Sequence, residues 1–170
     1  MAEVTGCAPL DDGRAISSSR DGSLRLWDTR KGSLIRTFWG HEGEVLGVLD
    51  LDESNVISWS ADRTIRIWNL ESGEEIAVLR GHEDAVTACD INGLYIVSGG
   101  ADTTVRVWEI SSGALLATLP GHTGPVTSLA LQPKGDLCAS SSLDRTIRVW
   151  RLEKQSSFSA SHLMAPSVIV

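Results

Sequence analysis

Much that would narrow the function of this 170-residue chain is missing from it. Nowhere do eighteen apolar residues run together, so no helical membrane span is expected. The opening stretch, "MAEVTGCAPLDDG", has neither a basic segment nor an apolar core and does not read as a secretory signal. Three cysteines, Cys7, Cys89 and Cys138, are too few and too odd in number for a disulfide framework. They point to a reducing compartment, the cytoplasm, with the nucleus also open. Cys7 and Cys89 fall in apolar runs and are expected to be buried small hydrophobes. No glycine-rich phosphate loop occurs, and no histidine stands at ligand spacing from another histidine or a cysteine. Neither a cofactor nor a metal is therefore expected. A net charge of −7 disfavours nucleic acid and anionic membranes as partners and permits basic ones. Sustained 3.6-residue periodicity is absent too, which argues against helices.

What the chain does have is repetition. Asp21 precedes Trp27 by six residues, and Asp62–Trp68, Asp102–Trp108 and Asp144–Trp150 keep the same separation. Successive tryptophans of this set lie 41, 40 and 42 residues apart. A fixed period in that range marks one supersecondary unit copied along the chain. Units open with Gly-His at Gly40-His41, Gly81-His82 and Gly121-His122, followed four residues later by Val45, Val86 and Val126. Each continues as short runs rich in β-branched residues, separated by Gly, Asp, Asn and Ser. Such runs read as strands joined by tight turns, four to a unit, in an antiparallel meander.

Four residues before each aspartate stands a serine: Ser17, Ser58, Ser98 and Ser140. A full unit thus carries His, Ser, Asp and Trp at nearly constant spacing, and their hydrogen-bonding capacities fit one another. An indole N–H only donates and needs an acceptor when buried. A serine hydroxyl can accept it and donate onward to an imidazole, whose other nitrogen can donate to the carboxylate. Burying the indole is worth roughly 4–6 kcal/mol, from its area and the usual transfer coefficient. Each hydrogen bond adds ~1 kcal/mol net, whereas orphaning a buried partner costs ~1–3 kcal/mol. The set is expected to act as a structural tetrad: His41, Ser58, Asp62 and Trp68; His82, Ser98, Asp102 and Trp108; His122, Ser140, Asp144 and Trp150. The first unit supplies Ser17, Asp21 and Trp27 but no histidine.

On these residues the chain resembles the WD-repeat family of β-propellers over about residues 3–152. Trp27-Asp28 keeps the literal Trp-Asp pair, and Asn69, Glu109 and Arg151 replace the acid in the other units. The resemblance implies an all-β fold of about four blades of four antiparallel strands. The blades would cover approximately 1–40, 41–80, 81–120 and 121–153, with a flexible serine-rich tail at 154–170. Three arrangements follow: part of a larger propeller of about seven blades, completion by self-association or a partner, or a small closed four-bladed ring. The last unit has no apolar run where an outer strand is due, only "SSFSASH". The terminal Val168-Ile169-Val170 could add to a partner's sheet edge.

Recurrent Ser, His and Asp could instead suggest nucleophilic catalysis. These serines fall mid-strand with an indole on their lone pair, and the inner-strand starts carry only Glu44, Ala85 and Pro125, so an enzyme is not expected. Family members commonly dock partners on the face bearing the Gly-His and Asp loops. That face here would present Glu42, Glu44, Glu83 and Asp84 with Arg20, Arg63 and Arg145, a mixture suited to a basic or bipolar peptide. Trp59 stands where other units have Ser18, Gly99 and Ser141. It either fills a gap between blades or serves as an aromatic anchor. Trp39, just ahead of Gly40-His41, occupies a position expected to meet solvent. The expected function is a non-catalytic scaffold or adaptor for peptide or protein partners. The alternative is the sensor portion of a larger multidomain regulator.

Overall fold

A computed structural model describes residues 2–11, 13–133, 136–152 and 167–169, the last three by backbone alone. The chain divides into two compact units, Met1–Arg80 and Gly81–Val170. Among the described residues there is no helix, and so none long and apolar enough to cross a membrane.

The first unit holds two four-stranded antiparallel meanders. One runs β1 (Val4–Leu10), β2 (Arg14–Ser19), β3 (Leu24–Asp28) and β4 (Ser33–Phe38). The other runs β5 (Val45–Asp52), β6 (Asn55–Ser60), β7 (Thr64–Asn69) and β8 (Glu75–Arg80). Ile16, Leu24, Leu26 and Phe38 pack with Val45, Val48, Val56 and Trp68 in one core. Phe38 meets Trp68 edge-on, ring centroids 6.0 Å apart, a geometry that aromatic quadrupoles favour. Thr5 Oγ1 donates to the Val45 carbonyl at 2.5 Å, tying the inner strands of the two sheets.

The second unit repeats this plan. Its sheets are β9 (Val86–Ile91), β10 (Tyr95–Gly100), β11 (Val105–Glu109) and β12 (Leu115–Leu119), then β13 (Val126–Leu131), β14 (Leu137–Ser142), β15 (Ile147–Arg151) and β16 (Ser167–Ile169). Val97, Val105, Val107 and Leu119 pack with Val126, Leu131, Cys138 and Trp150. Thr87 Oγ1 donates to the Val126 carbonyl, as Thr5 does to Val45. Asp90 Oδ2 accepts the Leu131 amide at 2.7 Å. Gly99 lies so close to Val126 that an added Cβ would fall 2.4 Å from its Cγ1, so this position in β10 has no room for a side chain.

Two sequence expectations need amendment. Cys89 and Cys138 are buried, but Cys7 is exposed. Ala8 and Leu10 take the core face of β1, and strand alternation turns Cys7 the other way with Pro9. The fourth sheet does have an outer strand. It comes fifteen residues after β15, where the other sheets use turns of four or five, and pairs Ile147 with Ile169, Arg148 with Val168 and Val149 with Ser167. The expected tail otherwise lies outside the described residues, as does Val170. Trp39 is 64% exposed, in line with its expected place.

Trp59 is explained from within its own sheet. It pairs across the strands with Gly47 on β5, and a Cβ on that glycine would sit 2.1 Å from the indole Cζ2. The ring lies over bare backbone, and its Nε1 is buried without an acceptor. Gly47→Ala should therefore cost about 1–3 kcal/mol by overpacking. In a Trp59→Ser background the same change should be neutral or stabilising, since alanine suits a strand better than glycine. Thermal unfolding of the four proteins in this cycle measures the coupling.

Candidate functional site

The three full histidine sets are superimposable in their bonding. His41 Nδ1 lies 2.8 Å from Asp62 Oδ2 and its Nε2 2.8 Å from Ser58 Oγ, which also accepts Trp68 Nε1–H at 2.8 Å. His82 makes the same 2.8 Å contacts with Asp102 and Ser98, and Trp108 donates to Ser98. His122, Asp144, Ser140 and Trp150 repeat them. Each imidazole side chain is at most 1% exposed. With Trp donating to serine, the hydroxyl hydrogen is free to point at Nε2, and Nδ1–H then donates to the carboxylate. The bonds connect the Gly-His loop, the second strand, the Asp turn and the third strand of each sheet.

Local chain geometry places the aspartate. Oδ1 accepts both the N–H and the O–H of the residue two on, Thr64 at 3.0 and 2.6 Å, Thr104 at 3.1 and 2.8 Å, Thr146 at 2.8 and 2.7 Å. Oδ2 accepts the histidine and the amide of the residue after it, Glu42, Glu83 or Thr123, each at 3.0 Å. The intervening residue takes positive φ: Arg63 at 70°, Thr103 at 67°, Arg145 at 70°, and Gly22 at 85° in the first unit. For a β-branched residue such as Thr103 that conformation is strained, and the aspartate cage holds it.

Burial by itself would raise the Asp102 pKa, but the Glu83 amide and the His82 imidazole outweigh it, and the carboxyl lies below its ordinary 3.8. Burial also raises Asp62, and hydrogen bonds from His41, Thr64 and Glu42 carry it well below the usual range. Burial lowers His82 below its ordinary 6.5 against the pull of Asp102. An ionised aspartate beside a neutral imidazole is the state these directions describe.

The β1–β4 sheet is built differently. Trp27 Nε1 donates to Ser17 Oγ at 2.9 Å, while the Ser17 hydroxyl turns to the Arg25 carbonyl at 3.5 Å. Asp21 accepts Ser23 and, at 2.5 Å, the Arg25 guanidinium. The Ser23 hydrogen bond is the main cause holding Asp21 well below the usual carboxylate range.

Two recurring partners were legible in the sequence but not used. Arg25, Arg66, Arg106 and Arg148 each stand two residues before the tryptophan, on the same strand face. A Cβ on Gly40, Gly81 or Gly121 would approach Nη1 of Arg66, Arg106 or Arg148 to 2.8, 2.6 or 2.8 Å, and the tryptophan Cη2 to 2.9, 3.2 or 3.2 Å. The glycine of Gly-His is thus a close-approach residue, with indole and guanidinium packed against its backbone.

Ser58, Ser98 and Ser140 are 0–1% exposed with both neighbours bonded, so no carbonyl carbon of a substrate can reach their oxygens as nucleophilic attack requires. Among the described residues no group of three His, Cys, Asp or Glu could hold a metal. Cys138 is pushed up to about 12 by burial, with Asp90 adding to the effect, which leaves an inert thiol. Of the loop residues singled out, Glu42, Glu44, Arg20 and Arg63 in the first unit and Glu83, Asp84 and Arg145 in the second are exposed. Arg20 is engaged by Glu3 at 3.2 Å and Glu44 at 3.6 Å. Leu143, beside Asp144, is 68% exposed.

The family model for the WD40 repeat (WD domain, G-beta repeat) matches residues 2–28, 32–69, 73–109 and 113–151. Mitochondrial division protein 1 of Vanderwaltozyma polyspora is 47% identical over 38 residues, 22% of this chain and 5% of that protein. The match thus spans a small part of the length of that curated relative.

Asp102→Ala removes the acceptor of the His82 imidazole and of the Glu83 and Thr104 amides. It should destabilise the protein by about 1–3 kcal/mol, with Asp102→Asn milder because one oxygen remains. Stability should also fall in acid in two stages. His82 is lowered on folding, so its contribution is complete above pH 6.5 and declines as pH drops below that. Asp102 is lowered too, so its share is complete above 3.8 and is lost as pH falls through the folded value. Urea unfolding between pH 8 and 3 measures both.

Proposed function

The chain belongs to the WD40-repeat family, and from that premise we propose that it is a non-catalytic scaffold that docks peptide or protein partners. Members of the family are generally interaction modules. The observation that carries this reading is the construction of the Gly-His and Asp loops. Their histidine and aspartate side chains are spent internally, in bonds that hold each loop to its sheet, and neighbouring loop residues are exposed. Glu42, Glu44 and Arg63 form such a surface in the first unit, and Glu83, Asp84, Arg145 and Leu143 in the second. A preformed rim of this kind binds without paying an ordering entropy.

The net charge of −7 and the acids on the loops favour a basic or bipolar peptide and oppose nucleic acid. Cytoplasmic location agrees with three free thiols, two of them buried. That the match covers only 5% of a much longer protein supports a second reading, in which the chain is the repeat portion of a larger regulator. Both readings use the same surface.

Binders selected from a random peptide library should be enriched in Lys and Arg. The double reversal Glu83→Lys, Asp84→Lys should weaken them about tenfold and leave the melting temperature unchanged. Selected peptides that ignore the reversal would remove this surface from consideration.

A further inference from the structure

Six tryptophans stand in the chain, and five of them are used by the fold. Trp27, Trp68, Trp108 and Trp150 each donate the indole N–H to a serine, and Trp59 lies over Gly47. Trp39 has neither a hydrogen bond nor a ring contact among the described residues, and it is 64% exposed. The same position carries Arg80 ahead of Gly81 and Pro120 ahead of Gly121. The loop itself therefore has no need of an aromatic ring there.

The backbone on either side of Trp39 is fixed. Phe38 is buried against Trp68. Gly40 lies too close to Arg66 Nη1 and Trp68 Cη2 for any side chain. The His41 imidazole is fully buried between Asp62 and Ser58. With Phe38 turned inward, Trp39 is presented outward from a segment that cannot easily move. A rigid exposed indole loses little freedom when a partner covers it.

Two carboxylates belong to the same neighbourhood. Glu42 follows Trp39 by three residues, within about 10 Å of chain. Its amide is bonded to Asp62 Oδ2 at 3.0 Å, while its side chain is exposed and has no partner among the described residues. Glu75 reaches Gly40 from β8, its Oε2 falling 3.4 Å from where a Cβ on that glycine would stand. That oxygen takes Arg66, and Oε1 has no partner among the described residues. The Arg66 side chain behind Gly40 is buried and already matched by Glu75 and, at 3.9 Å, by Asp62.

We propose that Trp39 anchors a peptide partner through an arginine, whose guanidinium lies on the indole face and donates to Glu42 and Glu75. A planar guanidinium stacks on an aromatic face and still offers its N–H edge to carboxylates, which a compact ammonium does less well. This rests on the reading of the chain as a peptide-docking scaffold, and it assigns the residue that holds the partner in the first unit.

Immobilised heptapeptide pools, randomised except for a central arginine, lysine or citrulline, test the proposal when probed with the full chain. The arginine pool should retain it best, and the uncharged citrulline pool about tenfold less. Trp39→Ala should weaken retention on the arginine pool about tenfold with an unchanged melting temperature, and Trp39→Phe should recover part of the loss. Glu42→Gln should weaken it about threefold. The loss in Trp39→Ala should persist in the Glu83→Lys, Asp84→Lys background. Retention that ignores Trp39→Ala but falls with the Glu83 and Asp84 reversal overturns the anchor and keeps the scaffold reading, whereas retention by no pool overturns both. Equal retention on the arginine and citrulline pools overturns the role of the guanidinium. A lowered melting temperature for Trp39→Ala also overturns the anchor, because the ring would then be packing on its own chain.

Discussion

One oxygen atom in each of three repeats carries two obligations at once. Ser58, Ser98 and Ser140 accept an indole N–H and sit at hydrogen-bond distance from an imidazole Nε2. A hydroxyl has one hydrogen to give, so accepting the indole commits that hydrogen to the histidine. The ring is then held as the Nδ1–H tautomer, and the aspartate must accept. Its remaining lone pairs close the turn through a threonine and cap the amide after the histidine. Every donor meets an acceptor in one direction along the chain of bonds, and no member can be deleted without leaving a buried group unpaired.

The same network dictates packing around it. An indole that must reach a serine on the neighbouring strand brings its Cη2 edge against the glycine of the loop ahead of it, where an added Cβ would crowd it. Arginine two residues before the tryptophan shares that space. Arg66 is paired with Glu75 of β8 and approaches Asp62, and Arg106 approaches Asp102. In the first repeat, the β1–β4 sheet, no imidazole joins the set, and Arg25 takes over Asp21. The Trp27 ring is correspondingly less buried than Trp68, Trp108 or Trp150.

What was legible in the sequence is what repeats at short range. The Ser-to-Asp and Asp-to-Trp spacings lie within single hairpins, where a fixed separation fixes a contact, and the bonding order followed from donor and acceptor counts. The Arg, Thr and Gly partners repeat just as regularly, but their contacts depend on strand face and loop approach, which spacing by itself does not give. Trp59 could be placed only once its cross-strand neighbour Gly47 was known, because pairing register is set by tertiary structure. Cys7 was misplaced because an apolar run does not say which face of its strand is covered. Val168-Ile169 was legible as an edge-adding stretch, but its place on β15 was not, because fifteen residues separate it from the strand it joins and no local signal crosses such a gap.

The tautomer of the imidazoles tests the shared-hydroxyl network most directly. Long-range 1H–15N correlation spectra of the protein at pH 8 report which ring nitrogen carries the proton. The network predicts Nδ1–H with an unprotonated Nε2 at His41, His82 and His122, and at His82 that pattern should vanish in Asp102→Ala. Nε2–H at these rings, or rapid exchange between the two forms, would contradict it.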